Sequence, residues 1–143
     1  MRKDIKNLIK LNIEKVEELE RFFEGQDEVL VAYVFGSHAR GTHVLESDVD
    51  VAVFLSKLPK DLLNYVLELI SKLTDILGDK VDLIILNIAP PTLKYQVIKH
   101  GKIIYCRNET ARVLFESRSI DEYLDFKRIL ERYDKCLIKK LLT

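Results

Sequence analysis

The sequence predicts an α/β (α+β) fold, a small mixed sheet of about four strands with helices on one face and a long helix at the C-terminal end. Short β-branched and aromatic runs alternate with longer segments whose apolar residues recur every three or four positions, which is the pattern of strands layered against helices. Glycine and proline stand at the joints between them. In "DVDVAVFL", residues 48–55, acids and valines alternate, so one side of that strand packs and the other faces a cleft or solvent.

Each element follows in order. Ile5, Leu8, Ile9, Val16, Leu19 and Phe23 give the first helix, and Gly25 stands where a left-handed stop is expected. "EVLVAYVF", 28–35, reads as a buried strand ended by Gly36, and 48–55 as the second strand. Pro59 opens a helix whose expected stripe is Leu62, Leu63, Val66, Leu67, Ile70, Leu73 and Leu77, up to Gly78. "KVDLIIL" is the third strand. A short helix after Pro90 and Pro91 carries Leu93, Val97 and Ile98 to Gly101, and "KIIYC" is the fourth strand. From Asn108 the pattern is helical to the end. Ser119 and Glu122 have the spacing of a capping box, so a restart there and one continuous helix both fit.

The 143 residues fit a single domain, 1–143, able to bury a core without disulfides or a structural metal. With 48% hydrophobic and 32% charged residues, and no apolar run near the roughly 20 residues of a membrane span, the chain is expected to be soluble. "MRKDIKNLIK" lacks the apolar core of a secretory signal, which points to the cytoplasm. Cys106 and Cys136 lack metal-ligand spacing and are expected to be reduced structural thiols. A formal net charge of zero argues against gripping nucleic acid as the main task. From Lys127 onward, however, six basic residues face two acidic ones, either a solvated helix face or a docking surface for an acidic partner.

The chemistry concentrates in "GSHARGTHVLESDVD", residues 36–50. Asp48 and Asp50 lie on one face of a strand, about 6.5 to 7 Å apart, and oppose each other's ionisation unless a hard cation such as Mg²⁺ supplies positive charge. Asp82 interrupts the third strand in the same manner, so three acids on neighbouring strands form a candidate metal site. Gly36 and Ser37 follow the first strand directly, where glycine permits close backbone approach to an anion and the N–H groups and hydroxyl can hold phosphate oxygens. Arg40 adds a charge-assisted bond to the same triphosphate. His38 and His43 are read as solvated loop residues, and His100 as a helix C-terminal residue facing the dipole.

Gly36-Ser37, ten residues, then Asp48-Val49-Asp50 resembles the signature of the polymerase-beta-like nucleotidyltransferase superfamily. "GSHARG" followed by "SDVDVAV" is similar to its minimal nucleotidyltransferase (MNT) branch, and the resemblance spans nearly the whole chain. It implies the polymerase-beta-like fold and an antitoxin paired with a HEPN ribonuclease toxin, transferring AMP from ATP to a toxin tyrosine. On that reading Asp48, Asp50 and Asp82 are the catalytic and metal-holding acids, with two Mg²⁺ ions. Gly36, Ser37, Arg40 and Ser47 bind the nucleotide, and Asp82 helps deprotonate the acceptor hydroxyl. A hetero-oligomer with the toxin is expected, with no direct nucleic acid partner and no membrane. Two rivals remain: transfer to a small molecule of the aminoglycoside kind, for which an added domain is missing, and an antitoxin that only binds and occludes.

Overall fold

The computed structural model describes residues 13–35, 49–78 and 80–142. The elements run α1 (Ile13–Glu24), β1 (Val29–Phe35), β2 (Val49–Leu55), α2 (Leu62–Leu77), β3 (Val81–Ile85), a 3₁₀ turn (Leu86–Ile88), α3 (Pro91–His100), β4 (Lys102–Cys106) and α4 (Glu109–Leu142). The strands form one sheet in the order β3-β2-β1-β4. β1 is antiparallel to both β2 and β4, whereas β2 and β3 are parallel, so the sheet is mixed as expected. The parallel pair requires a crossover, which α2 supplies.

Alternation sorts the strand residues onto two faces. Val49, Val51, Val53 and Leu55 join Val81, Ile85, Ala32 and Val34 in a core with Val16, Leu19 and Phe23 of α1 and Leu69, Leu73 and Leu77 of α2. The opposite parity is also largely apolar. Tyr33, Ala52 and Phe54 pack with Val97 of α3 and Phe115 of α4. Helices therefore cover one face completely, while on the other α3 and the first part of α4 add partial cover. A register shift between Val29 and Val31 switches the side to which the start of β1 points.

Helix ends depart from the expected punctuation in instructive ways. Gly25 has no positive φ; only Gly78, at φ 74°, is left-handed among the described glycines. The α1 carbonyls find a distant partner instead. Arg107 donates from Nη2 to the carbonyl oxygens of Phe23 (3.2 Å), Glu24 (2.8 Å) and Gln26 (3.1 Å), and from Nε to that of Val29 (3.2 Å). A guanidinium with several donors thus does what a left-handed glycine does elsewhere. α2 begins at Leu62 rather than at Pro59, because the Asp61 carboxylate accepts from the Asn64 N–H at 3.1 Å and caps it. Its buried line is also rotated from the expected stripe. Leu69 is buried, while Leu63 and Leu67 are 69% and 57% exposed.

α4 is continuous over 34 residues, and Ser119 is buried in its middle rather than capping a restart. Asn108 caps it, its side chain accepting from the Ala111 N–H at 3.0 Å. Neither Cys106, half-buried, nor Cys136, exposed, forms a disulfide. Among the described residues no helix is long and apolar enough to cross a membrane.

Candidate active site

The parallel register of β2 and β3 pairs Val49 with Val81 and Asp50 with Asp82. Paired residues on adjacent strands point to the same face, and their backbones lie about 4.8 Å apart. Because the neighbouring valines are drawn into the α1–α2 core, both acids are turned to the opposite face. Asp50 is half-buried and Asp82 exposed, on the strand at the edge of the sheet. The start of β2 is anchored by the Val49 N–H, which donates to the Lys80 carbonyl at 2.9 Å.

Phe35, the last residue of β1, pairs with Asp50. The chain therefore enters segment 36–48 beside one acid and returns from it directly into β2. Gly36, Ser37, Arg40, Ser47 and Asp48, with His38 and His43, lie outside the described residues. Two of the three expected acids are thus seen together; no group of three or more His, Cys, Asp or Glu suited to a metal occurs among the described residues. Two oxygen-bearing side chains converging from adjacent strands fit a hard divalent cation, which takes carboxylate ligands.

The same end of the sheet receives the exit of α3. Lys102 pairs with Val34, and His100 ends the helix. Gly101 is extended rather than left-handed, at φ −73°, and is needed for another reason. A Cβ there would run into the Val97 carbonyl oxygen, and the Val34 carbonyl lies 3.4 Å away.

One partly buried network on the acidic face has no counterpart in the sequence reading. The Tyr33 hydroxyl donates to Glu116 Oε1 at 2.9 Å, and Arg112 donates to Glu116 Oε2 at 2.9 Å and to Glu109 Oε2 at 2.6 Å. Burial, followed by the Glu116 charge, pushes the Tyr33 phenol far above its ordinary range, so it remains a donor. Tyr33 pairs with Ala52, one pleat from Asp50, so this network fixes α4 across the sheet next to the acids. Only the i, i+3 and i, i+4 spacings of Glu109, Arg112 and Glu116 could have hinted at it.

The chain has relatives of known structure and activity. It is 33% identical over 91 residues to the protein adenylyltransferase MntA of Shewanella oneidensis, a match covering 64% of this chain and 63% of that protein. The chain thus spans less than two thirds of that relative. A crystal structure of a toxin–antitoxin with AMP-PNP matches with a TM-score of 0.68 and 28% identity, covering 93% of this chain and 100% of the matched one. A MntA–HepT toxin–antitoxin structure, at 22% identity and a TM-score of 0.65, covers 92% of this chain and 100% of its own and shares the fold. The model of the polymerase beta nucleotidyltransferases matches residues 17–110, from α1 through all four strands, and the chain belongs to that family.

Proposed function

We propose that this chain is a Mg²⁺-dependent protein adenylyltransferase and antitoxin that moves AMP from ATP to a tyrosine hydroxyl of a partner HEPN ribonuclease toxin, thereby neutralising it. The observation that carries the reading is the in-register pairing of Asp50 with Asp82 at the point where β1 leads into the Gly36-Ser37 segment. The activity named for the MntA relative and the nucleotide analogue in the matched toxin–antitoxin structure support it.

Asp48, Asp50 and Asp82 would hold the divalent ions, which offset the repulsion among the acids and neutralise charge on the triphosphate. Gly36, Ser37, Arg40 and Ser47 bind and orient that triphosphate. Asp82, exposed at the sheet edge, accepts the proton of the acceptor hydroxyl. The new bond joins the toxin oxygen to the α-phosphorus; the bond to the β-phosphate breaks and pyrophosphate leaves. The compartment that supplies ATP and Mg²⁺ to this pair is the cytoplasm.

The test is incubation of purified toxin with this protein, ATP and Mg²⁺. The toxin's intact mass should rise in AMP-sized steps, and its RNA cleavage should stay lost after the antitoxin is removed. Protection of cells by the Asp48→Asn, Asp50→Asn protein without any mass change would replace transfer with occlusion.

A further inference from the structure

α4 carries one seam along its length. At alternating spacings of four and three, Arg112, Glu116, Ser119, Tyr123 and Phe126 share a side, and Leu130, Tyr133 and Leu137 continue it. The body of the molecule occupies the first part. Arg112 and Glu116 join the Tyr33 network, Ser119 is buried, and Tyr123 stacks on Tyr95 with ring centroids 3.9 Å apart. Phe126 is half-buried, and every residue from 127 to 142 is then exposed, with Leu130 at 43%, Tyr133 at 63% and Leu137 at 44%. The seam thus leaves the body while still apolar.

The flanks of its exposed part differ from each other. At the heptad spacing, Ile129 and Cys136 line one flank, without charge, and Lys127 and Asp134 line the other. Around the seam Lys127 and Lys140 balance Glu131 and Asp134, so neither a strongly acidic nor a strongly basic partner is favoured. A second helix of the same sequence, running the opposite way, matches it in detail. In one alignment Leu130 faces Tyr133 of the second copy, Phe126 faces its Leu137, and two-fold symmetry repeats both layers. Beside these layers Lys127 meets Asp134 of the second copy and Ile129 meets its Cys136, each pair within about 3 Å along the axis.

The alternatives are poorer. Sliding the copies by one heptad sets Lys127 against Lys127 in one direction and Asp134 against Asp134 in the other, while a parallel pair stacks Lys140 on Lys140 and places Asp134 beside Ile129. We propose that the exposed half of α4 is a self-association surface, on which a second copy of this chain packs antiparallel through Phe126, Leu130, Tyr133 and Leu137 with Lys127 paired to Asp134. A seam that served only an unrelated chain would be under no constraint to match itself in both its apolar layers and its charges.

Sedimentation of the full-length chain alone, over a concentration series, tests this. The wild type should pass from monomer to dimer as concentration rises. The Leu130→Glu, Leu137→Glu protein should associate about 100-fold or more weakly, as when central apolar anchors are lost, with circular dichroism as the check on an intact fold. Lys127→Glu and Asp134→Lys should each weaken association by about fivefold, and the chain carrying both should regain it, because the charges meet again with signs exchanged. Under mild oxidation Ile129→Cys should give a covalent dimer on a non-reducing gel through Cys136 of the second copy, and Ile129→Cys, Cys136→Ala should not. Within one chain positions 129 and 136 are about 10 Å apart along the helix, too far to bridge. A wild-type chain that stays monomeric overturns the proposal, and loss of toxin binding in the leucine variant of such a chain would assign the face to the toxin. A dimer unaffected by the leucine variant, or a double charge exchange that does not recover, overturns it as well. None of these measurements involves AMP transfer, so the pairing stands or falls apart from the adenylyltransferase reading.

Discussion

Asp50 and Asp82 are in-register partners on the only parallel strand pair among the described residues, so the crossover through α2 is what sets two acids 32 positions apart in sequence on one face. A slip of one residue in that register would turn either acid into the α1–α2 core. The packing of Val49, Val51, Val81 and Ile85 prevents it.

On the proposed function the two acids, unequally exposed, have different roles. Asp50→Asn is expected to weaken Mg²⁺-dependent binding of a non-hydrolysable ATP analogue by about tenfold or more, because a charged acceptor facing hard cations is lost. Asp82→Asn should retain most nucleotide affinity while transfer falls by about 100-fold or more, the pattern of a group acting mainly in the transition state. Calorimetry and transfer rates on the same preparations check this. Equal losses in both measurements would make holding metal, and not proton transfer, the main role of Asp82.

Buried Tyr33 and half-buried Tyr65 should respond oppositely to loss of the hydroxyl. Tyr33→Phe removes a donor to the Glu116 carboxylate and is expected to cost about 1.5 to 3 kcal/mol in urea unfolding. The Tyr65 hydroxyl is buried with no hydrogen-bond partner among the described residues, so Tyr65→Phe should leave stability unchanged or raise it by up to about 1 kcal/mol.

The same phenols set an alkaline limit. Burial, then Glu28, pushes Tyr65 up to about 12, and Tyr33 is raised further. A phenol whose folded pKa exceeds its unfolded value near 10 contributes stability that is complete below pH 10 and is lost as pH rises through the folded value. Stability should therefore decline above about pH 10, and Tyr33→Phe should flatten that decline. An equally steep alkaline loss in the variant would reject the assignment.

Much of this fold was legible because its strands are short β-branched runs with clear ends; β4 matches "KIIYC" residue for residue. Alternation turned Asp50 away from the core-facing valines, but that Asp82 shares its face depends on the parallel register of β2 and β3, while Gly36, Ser37, Arg40, Ser47 and Asp48 fall outside the described residues. α2 was harder, since its leucines offer more than one stripe, and the position of the sheet chose Leu69 over Leu63 and Leu67. Long-range partners left no local trace. Asn87 exchanges two 2.8 Å hydrogen bonds with the Leu55 backbone 32 residues away and so extends the pairing of β2 past the end of β3, yet in sequence it is merely an asparagine after a strand.

Glycine 25 and Arg107 provide the sharpest contrast between a local signal and a distant partner. Gly25→Ala should be tolerated, within about 0.5 kcal/mol of wild type, since its φ is not positive and an added Cβ meets only the Phe22 carbonyl at 3.5 Å. Gly78→Ala should cost about 1 to 2 kcal/mol, because alanine resists the left-handed conformation. Arg107→Ala should cost about 1 to 3 kcal/mol by releasing carbonyl oxygens of Phe23, Glu24, Gln26 and Val29 together with the contact over the Tyr105 ring. Arg107→Lys should recover only part of that loss, because an ammonium is a point charge that cannot reproduce the planar fork. Chemical denaturation of the four variants gives the ranking; a Gly25→Ala loss as large as that of Arg107→Ala would return the stop of α1 to its glycine.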